Sequence, residues 1–131
     1  MRISVKAALA AGLATLAAGA ALAQGGTGWH GIGQALAPAD AATVTVAAHG
    51  DARDREIMFC VEGHAMRLNQ ATLHFQGGGT QSMRISERLA DGGCSAGKTL
   101  SGHIKAVESA EVTYDQGILA GGTAHVQLFV R

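Results

Sequence analysis

The stretch Ala124-His125-Val126-Gln127-Leu128-Phe129-Val130 places Ala124, Val126, Leu128 and Val130 at every second position. A repeat of two is the side-chain period of an extended strand with one face buried and the other wet. The same spacing recurs upstream in Val44 and Val46, in Ile57, Phe59 and Val61, in Ala71, Leu73 and Phe75, in Met83 and Ile85, and in Ala110, Val112 and Tyr114. Turn formers separate the runs: Gly50-Asp51, Glu62-Gly63, Gly77-Gly78-Gly79, Asp91-Gly92-Gly93 and Gly121-Gly122. The best helical candidate, residues 34–42, contains Pro38 and has room for a turn or two at most. The pattern predicts an all-β chain, an antiparallel β-sandwich of about seven to nine short strands, with a jelly-roll or small barrel as variants.

Residues 1–23 follow another grammar. Arg2 and Lys6 precede a run of Ala, Leu and Gly that ends on Ala21-Leu22-Ala23, the small-x-small form that signal peptidase cuts. We expect a cleaved signal peptide over 1–23 and a single domain over 24–131, in a periplasmic or secreted bacterial protein. No Cys follows the cut for lipid attachment, and no other apolar segment is long enough to span a bilayer. The whole chain balances ten Lys and Arg against ten Asp and Glu, and losing Arg2 and Lys6 leaves a net charge of minus two with His neutral. Near-neutrality argues against a nucleic-acid footprint or a polybasic membrane patch.

In an oxidising compartment, two cysteines in a small domain are most simply read as one disulfide, Cys60 to Cys94. Closing a loop of about 35 residues is worth roughly 4 kcal/mol on the chain-entropy estimate. If Ile57, Phe59 and Val61 face the core, Cys60 points to the opposite side, and the bridge becomes a surface clasp across the outside of its sheet. The rival is a metal set made of Cys60, His64, Cys94 and His103, although the spacing from Cys94 to His103 fits no common zinc pattern.

Two motif matches share one segment. Gly92-Gly93-Cys94-Ser95-Ala96-Gly97-Lys98-Thr99 fits the phosphate-binding G-x-x-x-x-G-K-[ST] pattern. That loop works between a buried parallel strand and a helix that begins at the Lys. Here the upstream residues 84–90 are too charged for a buried parallel strand, and Leu100-Ser101-Gly102 stops a helix within a turn. No nucleotide is expected. Gly93-Cys94-Ser95-Ala96-Gly97 also fits G-x-S-x-G, with Asp115 and His125 following in hydrolase order, but a nucleophile elbow needs a strand-to-helix turn in a larger α/β fold. The expectation is no catalytic residue and no cofactor.

Six histidines, His30, His49, His64, His74, His103 and His125, raise the question of metal binding, with His64, His74, His103 and His125 as the candidates. Alternation sets His74 and His125 on solvent faces, where they pair only if their strands are neighbours. Trp29 is either a core plug or a stacking platform for a sugar. A glycan binder of the stacking kind needs exposed aromatics, and Trp29, Tyr114 and Phe129 are the ones to supply them.

Several stretches carry a resemblance: Gly28-Trp29 with Ile32-Gly33, Arg55-Glu56-Ile57 with Val61-Glu62-Gly63, Ala71-x-Leu73-x-Phe75 with Gly79-x-Gln81, Leu100-x-Gly102 with Lys105-x-Val107, Val112-x-Tyr114, and Ala124-x-Val126-x-Leu128-Phe129. In these, and in its leader, the chain resembles a family of small exported bacterial proteins of unknown function that includes the enterobacterial protein YaaI. Members often carry Arg where Lys105 stands. The resemblance implies an all-β periplasmic or secreted domain with no assigned catalytic residues. Three functional classes follow: a non-catalytic module binding a protein, glycan or small ligand; a periplasmic metal-binding or stress protein using surface histidines; and, last, a small hydrolase.

Overall fold

The computed structural model describes residues 28–101, 106–115 and 122–131. Eight strands follow in chain order: β1 (His30–Ala37), β2 (Thr43–Ala47), β3 (Glu56–Glu62), β4 (Met66–Phe75), β5 (Gly79–Leu89), β6 (Lys98–Thr99), β7 (Val107–Tyr114) and β8 (Ala124–Val130). They form two four-stranded sheets, ordered β1-β8-β3-β6 and β2-β7-β4-β5, and no helix occurs among the described residues. The chain divides between Gly31 and Ile32, and of the first unit only residues 28–31 are described. The sandwich predicted from alternation is therefore present, as two antiparallel sheets that do not close into a barrel. Residues 34–42 are not helical: Gln34 to Ala37 end β1, and Pro38 begins the turn into β2.

The core lies between the sheets. Ile57, Phe59 and Val61 of β3 and Val126, Leu128 and Val130 of β8 meet Leu68, Ala71 and Leu73 of β4 and Ala110 and Val112 of β7. Each was marked by its place in the two-residue repeat except Leu68, which the repeat misses for a structural reason. In β4 the inward residues step from Leu68 to Ala71, past both Asn69 and Gln70. In the neighbouring β5, Ile85 and Ser86 together stand opposite Asn69, because Gln70 pairs with Arg84 while Leu68 pairs with Glu87. Ser86 takes a φ of 50°, the left-handed conformation that bulges use and non-glycine residues seldom adopt. Irregularities in adjacent strands at one level bend that end of the sheet.

The sheets also approach at both edges. On one side, Ile32 of β1 accepts a hydrogen bond from His49 N–H at 2.9 Å, and the backbone of Gly33 passes against Ala47. A Cβ on Gly33 would sit 2.1 Å from the Ala47 carbonyl oxygen, so only glycine fits there. On the other side, two inward-directed side chains of β5 bridge the gap. Gln81 donates to the Thr99 carbonyl at 3.1 Å and accepts from Ser101 N–H at 3.0 Å, and Glu87 accepts from Ala96 N–H at 3.2 Å. The corner between β1 and β2 is held by Tyr114, whose hydroxyl donates to the Pro38 carbonyl.

Replacing Gly33 with Ala forces β1 away from β2; we expect a loss of about 1–3 kcal/mol, read as a lowered denaturation midpoint. Burial, and then the charge of Asp40, push the Tyr114 phenol above its ordinary value. The unfolded chain ionises it first, so this contribution is complete below a pH of about 10 and is lost as the pH rises through the folded value. Tyr114→Phe should cost about 1 kcal/mol at neutral pH and show a shallower alkaline loss of stability than the parent, both measurable by urea titration across pH.

Candidate functional site

The segment that carried both motif matches is an irregular edge strand. Cys60 and Cys94 stand directly opposite each other as an antiparallel bridge, with Cα atoms 4.0 Å apart, and their sulfurs are bonded. Further along, Glu56 pairs with Thr99 and Ile57 with Lys98, so one extra residue is taken up between Cys94 and Lys98. The geometry answers the phosphate-loop reading atom by atom. Gly92 N–H donates to the Val61 carbonyl at 2.9 Å, Gly93 N–H to Ala90 at 2.7 Å, and Ser95 N–H to Phe59 at 2.7 Å. Ala96 N–H is held by the Glu87 carboxylate, and Lys98 lies in a strand and not at the start of a helix, so four of the loop's amides are already spent on the protein.

Ser95 is 6% exposed. Its hydroxyl accepts from Phe59 N–H at 3.0 Å and donates to the Ala96 carbonyl, a main-chain role and not that of a poised nucleophile. A side-chain oxygen in place of a strand carbonyl is what the bulge requires, since Phe59 N–H would otherwise be buried without a partner. The disulfide departs from the sequence reading in one respect. Cys60 does point away from the core, as alternation dictated, but it is 2% exposed, and the bridge ties an edge strand to β3 instead of lying as a surface clasp across the sheet.

The histidines are dispersed. His125 stands opposite Glu62 in the β3–β8 ladder, on the outer side of the first sheet. His74 lies on the outer side of the second, its Nε2 buried without a hydrogen bond and 3.6 Å from the Glu111 carboxylate. His64 sits in the β3–β4 turn with Nδ1 2.8 Å from the Ala65 carbonyl, its ring against Gly122. His103 falls outside the described residues. Among the described residues no three His, Cys, Asp or Glu side chains gather around one point. Trp29, Tyr114 and Phe129 are all buried, as are Phe59 and Phe75, so none of the five aromatics offers an open stacking face.

What alternation left between its apolar residues assembles instead on the outside of the second sheet. The ladders align three rows across β2, β7, β4 and β5: Thr43, Thr113, Gln70 and Arg84; Thr45, Glu111, Thr72 and Ser82; Ala47, Ser109, His74 and Thr80. None of these side chains is buried, and all but Ala47 are polar. Seven are hydroxyls, set at the spacing of a sheet, about 4.8 Å between strands and about 6.7 Å along them. Thr72 and Ser82 hydroxyls lie 3.3 Å apart, and Thr113 donates to the Gln70 carbonyl. The first sheet is built otherwise: Met58, Cys60, Gln127 and Phe129 on its outer side are buried. Sequence reasoning passed over the hydroxyl rows because each strand contributes only one or two of the hydroxyls, and the strand order that aligns them is set by contacts far apart in the chain.

A two-sheet all-β domain with one polar face open to solvent is the class that this geometry defines. Residues 8–130 match the family model described as Domain of unknown function (DUF2541), and the chain belongs to that family. No curated protein and no solved structure matches it.

Ser95→Ala leaves Phe59 N–H unpaired and should cost about 1–3 kcal/mol by chemical denaturation. Replacing both Cys60 and Cys94 with Ala should speed amide exchange at Val61, Gly92 and Ser95 while Leu73 and Val112 keep their protection; uniform loss across both sheets would show that the bridge supports the core instead.

Proposed function

We propose that this protein is an exported, non-catalytic binding module whose ligand lies on the outer face of β2-β7-β4-β5. The observation that carries the reading is the open face itself, three aligned rows of polar side chains drawn from four strands. A rigid sheet holds such groups in fixed relative positions, which lowers the entropy lost when a ligand docks. Residues 1–23 and the bonded cysteines support export, since disulfides persist in oxidising compartments. No helix among the described residues is long and apolar enough to cross a membrane.

The metal reading draws less support, because His74 and His125 lie on different sheets and each faces a carboxylate, Glu111 and Glu62 respectively. The hydrolase reading meets the engaged hydroxyl of Ser95.

Bulky side chains on the open face test the proposal. Thr45→Tyr with Ser82→Tyr suits strand propensity and should leave the melting temperature within about 3 °C, while retention of envelope components on the immobilised protein falls to background. His125→Tyr, on the other sheet, should leave retention intact. Unchanged retention by the Thr45/Ser82 variant would refute the assignment of this face.

A further inference from the structure

At the bent end of the second sheet, two arginines face each other. Arg67 of β4 and Arg88 of β5 are direct register partners, a placement that brings their Cβ atoms to about 5 Å and sets like charges across the strands, which costs stability. Arg84 follows on the same strand, opposite Gln70, and both it and Arg88 are exposed. The paired irregularities at Asn69 and at Ile85-Ser86 lie between Arg84 and the Arg67–Arg88 pair, and plain alternation along β5 leaves Arg84 and Arg88 on its solvent side.

Little negative charge offsets them. Asp115 is 3.8 Å from Arg67 with both side chains about half exposed, a contact worth little in water. Its other oxygen is held by Asn69 Nδ2 at 2.9 Å, which fixes the carboxylate beside Arg67 and away from the role of a bidentate partner. Glu87 points to the opposite side, where it accepts from Ala96 N–H. Among the described residues, Arg84 and Arg88 bond to no carboxylate. Three guanidinium groups stand against weakly placed Asp115 at this end, while Glu111, the other carboxylate on the face, lies two strands from Arg84 and 3.6 Å from His74, so the arginine end forms a local site for oxyanions.

We infer that Arg67, Arg84 and Arg88 bind the carboxylate or sulfate groups of an acidic polysaccharide laid along the hydroxyl rows, an inference that rests on the binding-face reading above. Arg84 and Arg88 are four residues apart on β5, at most about 13 Å along the strand and less across the bulge at Ser86, a spacing suited to successive groups of a chain. The Thr43, Thr45 and Thr80 hydroxyls of those rows donate to and accept from sugar hydroxyls. Neutral sugars are ordinarily gripped by an aromatic platform, which this face lacks, so charge must supply the affinity. A phospholipid surface fits less well, because no large hydrophobic side chain stands on the face to enter a bilayer; Leu36, the large hydrophobic exposed among the described residues, belongs to the other sheet.

The test is calorimetric titration of the full chain with a galacturonate hexasaccharide, a sulfated hexasaccharide, a neutral glucan hexasaccharide and phosphatidylglycerol vesicles. We expect binding to at least one acidic hexasaccharide, weakened about tenfold or more in Arg67→Gln/Arg88→Gln, weakened also in the Thr45/Ser82 tyrosine variant, and reduced by added salt. Arg88→Gln alone should melt no lower than the parent, since it removes a like-charge pair, which separates lost binding from lost folding. Binding of the neutral glucan that ignores the arginine changes but is lost in the tyrosine variant would overturn the inference and leave the face standing. Arginine-dependent binding to vesicles with none to the acidic sugars would overturn the choice of ligand. Silence of all four probes, with envelope retention indifferent to the tyrosine variant, would remove both readings.

Discussion

β3 must satisfy hydrogen-bonding groups on both of its edges while apolar side chains fill both of its faces. From Ile57 to Val61 every residue is buried, so an unpaired N–H or C=O there has no water to turn to. β8 serves one edge through a regular six-residue register. The other edge is served by the glycine-rich segment around Cys94, which cannot run as a regular strand and meets the demand piecemeal. Gly92 and Gly93 serve Val61, Ser95 lends a hydroxyl where a carbonyl is missing, and β6 completes the pairing at Ile57. The disulfide, at the middle of this edge, holds the segment in the one register that satisfies all of these groups.

That constraint reaches across to the second sheet. Because the segment from Cys94 to Ser101 is pinned to β3, its outward amides at Ala96 and Ser101 and its carbonyl at Thr99 are presented to β5, where Glu87 and Gln81 meet them. The sandwich is stitched along that side by side chains and not by a ladder, and it stays two sheets. β5 is long for an edge strand, and an open edge of eleven residues invites pairing with another chain. Its arginines, Glu87 and the bulge at Ser86 oppose such pairing, so the charges that mark the candidate anion site also protect the fold.

The two outer faces therefore differ in make-up. On the first sheet, burial extends to Met58, Cys60, Gln127 and Phe129, with Gln127 donating toward Gln34 and Glu62. On the second, nothing apolar larger than Ala47 stands on the three rows, and the hydroxyls and charges remain in water. A polar face built on a bent, well-buried sheet combines a stiff backbone with exchangeable side-chain hydration, which is what recognition of a polar ligand requires.

Local pattern determined which residues face inward. Val44 and Val46, Ile57, Phe59 and Val61, and the alternating residues of β7 and β8 lie in the core where their two-residue repeat places them, because the pleat of a strand is a property of neighbouring residues alone. The cysteine count likewise sufficed for the bridge, since two thiols have one partner each. Strand order, the bulges at Asn69 and Ser86, and the use made of residues 92–99 depended on contacts between segments far apart in the chain. The same Gly-rich string can cradle a phosphate, turn a nucleophile outward or edge a sheet, and only the unsatisfied backbone of β3 selects the third. The hydroxyl rows and the Arg67–Arg88 pair arise in the same way, from the register of strands that no short window of sequence contains.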